Sequence, residues 1–174
     1  LKEGAKECVD ALKNAGMRVA MLTGDNEYAA KRVAEGLGVG ETIANALPTD
    51  KTAYVERLAQ QGRNVLMVGD GINDAAALAL SSVAVCMGSG AAASIAKSDV
   101  VLMREGLASL AAAVRLARRT YRIVRQNLAF SLVYNAVTIP LAMAGYVAPA
   151  VAALSMSLSS VAVVLNAMRA RSER

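Results

Sequence analysis

Apolar and polar positions along the chain fall into two regimes. Up to about residue 106, short apolar runs alternate with stretches of helical spacing. Ala5, Cys8, Val9 and Leu12 recur at intervals of three and four, which predicts an amphipathic helix over 2–15 that ends at Gly16. A buried strand is expected at 18–22 (RVAML), stopping at Thr23-Gly24-Asp25-Asn26. The segment EYAAKRVAEGLG predicts the next helix, and Thr42-Ile43-Ala44 a short strand. Leu47-Pro48-Thr49-Asp50-Lys51 opens a third helix, with Thr49 or Asp50 as its N-cap. Four apolar residues at 65–68 predict a strand that runs into Gly69-Asp70-Gly71. A helix follows from Asn73, and further strands are expected at 83–87 and 100–103. Strands alternating with helices in this way predict right-handed βαβ units and a mainly parallel sheet, an α/β fold.

The second regime has no such alternation. From Gln126 to Met168 no residue is charged, a length about twice the ~20 residues needed to cross a bilayer. Tyr146-Val147-Ala148-Pro149 divides it, so two transmembrane helices are expected at 126–147 and 150–169. Arg115, Arg118, Arg119, Arg122 and Arg125 precede the stretch, and Arg169, Arg171 and Arg174 follow it. That placement puts both ends of the hairpin in the cytoplasm. A buried helix pair of a soluble protein is the bland alternative, but core helices of this length without one charge are rare. The basic segment 107–125 is expected to be a helix that continues into the first span and couples the soluble domain to the membrane.

Composition sharpens this division. Hydrophobic residues make up 55% of the chain and aromatics only 3%, so the apolar content is Ala, Val, Leu and Met. The net charge of +5 comes largely from the arginines flanking the uncharged stretch. With so few aromatics beside it, this basic balance excludes a nucleic-acid partner and points to the membrane. Cys8 and Cys86 form no metal-type pair and are small hydrophobes of a reducing compartment. The chain opens on Leu1 inside a predicted helix, without initiator Met or signal peptide, and is expected to be an excerpt.

Open parallel sheets bind ligands beyond the carboxyl ends of their strands. Thr23, Gly24, Asp25, Gly69, Asp70, Gly71 and Asp74 all fall there. Asp70 and Asp74 can face one small volume, and carboxylates without His or Cys favour a hard cation, Mg²⁺. Thr23 offers a hydroxyl, and Gly24 a backbone N–H at a helix start suited to a phosphoryl oxygen. Lys51 could supply the positive charge that phosphoryl transfer needs. Either glycine motif alone could be a tight turn; two at consecutive strand ends, with a Lys between them, favour chemistry. The polar residues of the uncharged stretch include Tyr134-Asn135 near the middle of one span, and Ser157, Ser159, Ser160 and Asn166 beside Met156 in the other. No Asp, Glu, His or Lys occurs there, so a bare divalent ion would find no compensating charge. A thioether beside neutral oxygens suits Cu(I). Packing is the ordinary role of such Met and Ser residues, and spacing alone leaves both readings open.

TGDN at 23–26, LPTDK at 47–51, GDGINDAAALA at 69–79 and SDVVLM at 98–103 resemble the phosphorylation domain of P-type ATPases, members of the haloacid-dehalogenase-like (Rossmannoid) superfamily. The resemblance implies a partial phosphorylation domain over 1–106. It implies that Thr23 contacts the transferred phosphoryl group, with Gly24 and Asp25 completing its motif, and that Lys51 neutralises its charge. Asp70 would hold Mg²⁺, while Asn73 and Asp74 orient that loop. Such pumps use ATP to phosphorylate an Asp in a DKTGT motif. Neither that motif, nor an actuator TGE, nor a nucleotide-binding domain occurs in this chain. The fragment alone is therefore expected to be inactive, and to lack the central strand that carries the nucleophile. One departure is the segment 88–93 (GSGAAA), smaller and blander than the family's loop.

YN at 134–135, MSLSS at 156–160 and the spacing of Asn166 and Arg169 resemble the last two helices of Cu(I)-transporting heavy-metal (type IB) P-type ATPases. By that resemblance Tyr134, Asn135, Met156 and Ser160 line the copper site, with a Cys-Pro-Cys motif on an earlier helix. Zinc-type relatives carry an Asp where Met156 stands, which disfavours zinc. The hairpin is also similar to the subgroup that feeds copper to cytochrome oxidase assembly. The resemblance thus implies part of an ATP-driven Cu(I) and Ag(I) export pump in a bacterial inner membrane, supplied by a copper chaperone and working by alternating access. A membrane-anchored phosphatase of the same superfamily and a non-catalytic truncated product are the alternatives.

Overall fold

The computed structural model describes residues 4–69, 72–88, 92–103, 106–146 and 148–171. The chain divides into two compact units, Leu1–Ala112 and Ala113–Arg174.

The first unit follows the predicted alternation. Helix α1 (Ala5–Asn14) buries Ala5, Cys8, Val9 and Leu12, the face set by their spacing. Strand β1 (Ala20–Leu22) leads to α2 (Glu27–Leu37), whose first turn is capped by Asn26 Oδ1 accepting from Ala29 N at 2.9 Å. Gly38 ends α2 at φ 68°, the left-handed turn for which glycine carries no Cβ penalty. Strand β2 (Glu41–Ile43) precedes α3 (Pro48–Gln60). This helix starts earlier than expected: Leu47 is the N-cap residue and Pro48, which needs no N–H partner, takes the first position. Asp50 does cap the helix, but from its third position, accepting from Leu47 N at 2.9 Å. Strand β3 (Leu66–Gly69), a 3₁₀ turn (Ile72–Asp74), α4 (Ala75–Leu80), β4 (Val83–Met87), α5 (Ala92–Ala96) and β5 (Val100–Leu102) complete the unit. Helix α5 was not legible in the small residues around 88–93.

All pairing is parallel, but the described strands form two sheets, β1-β2 and β3-β4-β5. A cavity of about 830 Å³ separates them. Val19–Leu22 line one wall, Val65–Val68 the other, and side chains of α1 and α3 such as Val9, Leu12 and Val55 close it. Among the described residues β1 pairs only with β2, and β3 only with β4. Each therefore turns a row of unpaired backbone groups toward an apolar slot, which is costly unless another strand fills it. Strand order runs outward from the slot in both directions, so the slot lies at a topological switch point. The core flanks it: Val55, Met67, Ala77, Leu78 and Ala84 on the β3 side, and Ala5, Val9 and Leu37 on the β1 side.

The second unit is helical. Helix α6 (Ala108–Met143) runs unbroken from the basic segment into the uncharged one, with Pro140 in its last turns. The chain reverses through Ala144, Gly145 and Tyr146, and α7 (Pro149–Met168) returns before a 3₁₀ turn (Arg169–Arg171). Val147, in the expected turn, lies outside the described residues. The two helices lie antiparallel, joined by Tyr134 OH to Ser155 Oγ at 2.9 Å and by Asn166 Nδ2 donating to Asn127 Oδ1 at 2.9 Å. Half-buried Asn127, Tyr134 and Thr138 on α6, and Ser155, Ser159, Val163 and Asn166 on α7, mark the seam. Away from it, large apolar side chains such as Phe130, Leu132, Leu154 and Leu158 are exposed, an exterior suited to lipid rather than water. Among the described residues α7 is the helix long and apolar enough to cross a membrane. The uncharged half of α6 falls short of that test, diluted by Gln126, Asn127, Asn135 and Pro140.

Candidate functional site

The loops after β1, β2 and β3 are knitted together beyond the carboxyl ends of their strands. Thr23, the residue after β1, donates its backbone N–H to Ile43 O at 2.9 Å. Its hydroxyl donates to Asp25 Oδ2 at 2.8 Å and accepts from Asp25 N at 3.1 Å. The loop after β2 closes on it, with Ala46 N donating to Thr23 O at 2.9 Å and Asn45 N to Asp25 O at 2.8 Å. Asn45 adopts φ 51°, a conformation Asn tolerates better than most residues. Gly24 is exposed, but its N–H does not open a helix as expected: α2 begins at Glu27, after the cap at Asn26.

That second loop ends in the first turn of α3, which carries Lys51. Lys51 Nζ donates to Asp74 Oδ1 at 2.7 Å, the two side chains being 15% and 11% exposed. Asp74 is the buried charged residue among those described. A pair this dry is costly to break, because removing one partner strands the other charge. Gly69 at the end of β3 explains how Asp74 fits. A Cβ at Gly69 would stand 2.8 Å from Asp74 Cβ and 2.9 Å from Asp74 Oδ2, so glycine there leaves the volume that the carboxylate fills. The sequence singled out Gly69, Lys51 and Asp74, but not this packing of one upon another. Asn73 lies exposed on the 3₁₀ turn that delivers Asp74. Asp70 and Gly71, the expected magnesium ligand and its neighbour, lie outside the described residues.

The donor chemistry suits a phosphoryl group with a hard cation. An ammonium has three N–H donors, of which Asp74 takes one, and a carboxylate keeps acceptor capacity after one ion pair. Described residues include no group of three or more His, Cys, Asp or Glu that could hold a metal by themselves. Any such ion here would depend on oxygens from Asp70 and from the bound phosphoryl group.

In the second unit the four residues expected to line a copper site divide. Tyr134 is half-buried in the seam, its hydroxyl held by Ser155. Asn135 and Met156 are exposed, Met156 at 67%, and exposed Ser160 donates its hydroxyl to Met156 O within its own helix at 3.0 Å. At about 100° of rotation per residue, Asn135 lies roughly 100° round α6 from Tyr134. Met156 and Ser160 lie roughly 100° and 140° round α7 from Ser155. Because the helices run antiparallel, rotations of the same sense carry these side chains to the same flank of the pair. Asn166, at the far end of the seam, forms a polar cluster with Asn127, Gln126 and Arg169.

A family model described as haloacid dehalogenase-like hydrolase matches residues 1–81. Two copper-exporting P-type ATPases are similar along nearly all of the chain. That of Bacillus subtilis (strain 168) is 42% identical over 97% of this chain, and that of Staphylococcus aureus (strain JH9) is 40% identical over 100% of it. These matches cover 21% and 22% of the two relatives, so the chain spans about a fifth of their length. Among solved structures, a zinc-transporting PIB-type ATPase in its E2.Pi state aligns with a TM-score of 0.89 at 34% identity, covering 98% of this chain and 28% of its own. Knitted loops at a parallel-sheet switch point, a helical second unit and similarity from end to end converge: the chain is similar throughout to one part of the P-type ATPases of the PIB type.

Proposed function

We propose that this chain is the part of a copper-exporting pump that binds the phosphoryl group and forms one wall of the metal pathway. The observation that carries the first half is the slot between β1 and β3. A parallel strand supplied by another part of the protein would pair with both open edges and end level with Thr23 and Asp74. An Asp at its carboxyl end would then accept phosphate from ATP within reach of the Thr23 hydroxyl and the Lys51 ammonium. Lys51, held by Asp74, would offset the charge on the phosphoryl oxygens, and Gly24 and Asp25 would shape the loop that presents Thr23. Asp70, steadied by Asn73 and Asp74, would hold Mg²⁺, which supplies further charge neutralisation when bound. This chain by itself carries no nucleophile for that chemistry and is expected to be inactive.

The second half rests on the flank shared by Asn135, Met156 and Ser160. A thioether and two neutral oxygen donors open on one side of α6 and α7 suit Cu(I) or Ag(I), with the remaining ligands coming from other helices. Tyr134 stands in the adjacent seam. In this reading α6 and α7 form a transmembrane hairpin of 126–147 and 150–169 in a bacterial inner membrane, with both ends cytoplasmic and a chaperone delivering copper.

The test is metal-stimulated ATP hydrolysis by the complete protein, with Cu(I), Ag(I) and Zn(II) compared, alongside Met156→Ala. Stimulation by the monovalent ions that weakens in Met156→Ala is the expected result. Stimulation by Zn(II) alone, the metal of the solved relative, would overturn the copper assignment while leaving the pump intact.

A further inference from the structure

The arginines before the uncharged stretch have so far served only to orient it. Their placement on α6 is more specific than that. Relative to Tyr134 in the seam, Arg115, Arg118, Arg119, Arg122 and Arg125 lie roughly 60° to 180° round the helix, all on the side away from Asn135. Arg169, in the 3₁₀ turn that follows α7, is joined to this side by Arg119, which donates a hydrogen bond to its carbonyl. The helix pair therefore has one flank of neutral metal-type donors and, at its basic end, an opposite flank of guanidinium groups. Arg115, Arg122 and Arg125 are exposed. No Asp or Glu occurs between Gly106 and Ser172, so basic residues outnumber acidic ones eight to one in this unit, whose one acidic residue is Glu173.

Which anion covers this flank is decided by its surroundings. Arg122 and Arg125 occupy the last turn before the uncharged segment, and exposed Leu128, Phe130 and Leu132 follow at once. Tyr121, 65% exposed, sits among the arginines with the Arg125 guanidinium 6.0 Å from its ring centroid. Exposed tyrosine between an apolar surface and a charged one is the pattern of a membrane interface. Guanidinium forks match phosphate oxygens in bidentate geometry. We infer that this arginine flank is a binding site for the phosphodiester headgroups of anionic phospholipids. The inference rests on the membrane reading of α6 and α7, and goes beyond it by requiring headgroup charge rather than a bilayer alone.

The test uses the complete protein in detergent micelles, titrated with dioleoylphosphatidylglycerol, dioleoylphosphatidylcholine or inorganic phosphate, and bound lipid is counted by native mass spectrometry. Arg115→Gln/Arg122→Gln/Arg125→Gln is compared with Lys6→Gln/Lys31→Gln/Arg32→Gln, which removes the same charge from the first unit. Each interfacial Arg is worth roughly fivefold in partitioning. Phosphatidylglycerol should therefore bind the arginine variant on the order of 100-fold more weakly, with the control variant unchanged. Equal binding of the two lipids overturns the inference. So does displacement of phosphatidylglycerol by inorganic phosphate, which would make this a site for free anions. Unchanged phosphatidylglycerol binding in the arginine variant overturns it too, and leaves the flank to an acidic protein partner. Carbonate extraction of the same proteins from membranes separates this from failure of the membrane reading, since a protein that extracts was never inserted.

Discussion

Gly69→Ala tests the packing that holds the proposed phosphoryl site together. The added methyl would stand 2.8 Å from Asp74 Cβ, where ordinary contact begins near 3.4 Å, so Asp74 must retreat by at least about 0.6 Å. The retreat has little room, because Asp74 is 8% exposed and its Oδ1 already meets Lys51 Nζ at 2.7 Å. Overpacking a rigid site costs about 1–3 kcal/mol, and loosening a poorly hydrated ion pair puts this case near 2 kcal/mol. Hydrogen exchange of the peptide covering 66–80, in the complete protein, reads that cost as local opening. A loss of about 2 kcal/mol corresponds to exchange roughly 30-fold faster. The partner variant Asp74→Gly opens the site by itself but removes the atom that clashes, so Gly69→Ala added to it should change exchange less than about threefold. A Gly69→Ala protein that exchanges like the parent would refute the reasoning. An equal acceleration in the Asp74→Gly background would refute it as well, by locating the cost in the backbone of β3 rather than in its contact with Asp74.

Two further outcomes follow from polar groups that the geometry pairs. Burial, and then the hydrogen bond to Glu41 with its negative charge, push the Tyr54 phenol above its ordinary value of 10.0. The unfolded chain therefore loses this proton first, so the stability Tyr54 contributes is complete below about pH 10 and is lost as pH rises through its folded value. Melting of the complete protein followed from pH 8 upward should show that decline beginning near pH 10, and Tyr54→Phe should flatten it; a Tyr54→Phe protein with the same slope contradicts the assignment. In the helical unit, Tyr134→Phe and Ser155→Ala each remove the same hydrogen bond, worth about 0.6 kcal/mol between membrane helices. SDS unfolding of the reconstituted protein should find the double variant no less stable than the weaker single one, and additive losses would mean that the two groups act separately.

How much of this was legible in the sequence depends on how local the cause is. The amphipathic face of α1 and the strand running into Gly69 depend on residues a few positions apart, and the pattern located both, whereas the cap at Asn26 was passed over for a helix start at Gly24. The start of α3 was misplaced because Thr49 and Asp50 both look like caps. What decides is the fixed φ of Pro48 at the first position, with Asp50 reaching back from the third. The contact of Asp74 with Gly69 depends on how a 3₁₀ turn folds over a strand end, and residue spacing does not carry that information. The seam of α6 and α7 was hidden for a related reason. Its polar residues, Asn127, Tyr134, Ser155 and Asn166, lie within stretches of the same composition as the exposed faces beside them.

The division of the sheet follows from the same distinction between local and distant causes. Each of the five strands has a parallel neighbour within its own half. In the proposed function, what joins them is a strand parallel to both β1 and β3, apolar on both faces, and long enough to span the slot. Residues on either wall, Val19 to Leu22 and Val65 to Val68, are of the type expected beside such a fully buried strand. The proposed phosphoryl site lies where these halves meet: Thr23 belongs to the β1 side, Asp74 to the β3 side, and Lys51, which follows β2, pairs with Asp74. A group inserted between them therefore arrives with a hydroxyl on one side and an ammonium on the other. On the proposed function, filling the slot and completing the site are therefore one structural event, and the chemistry requires the whole sheet.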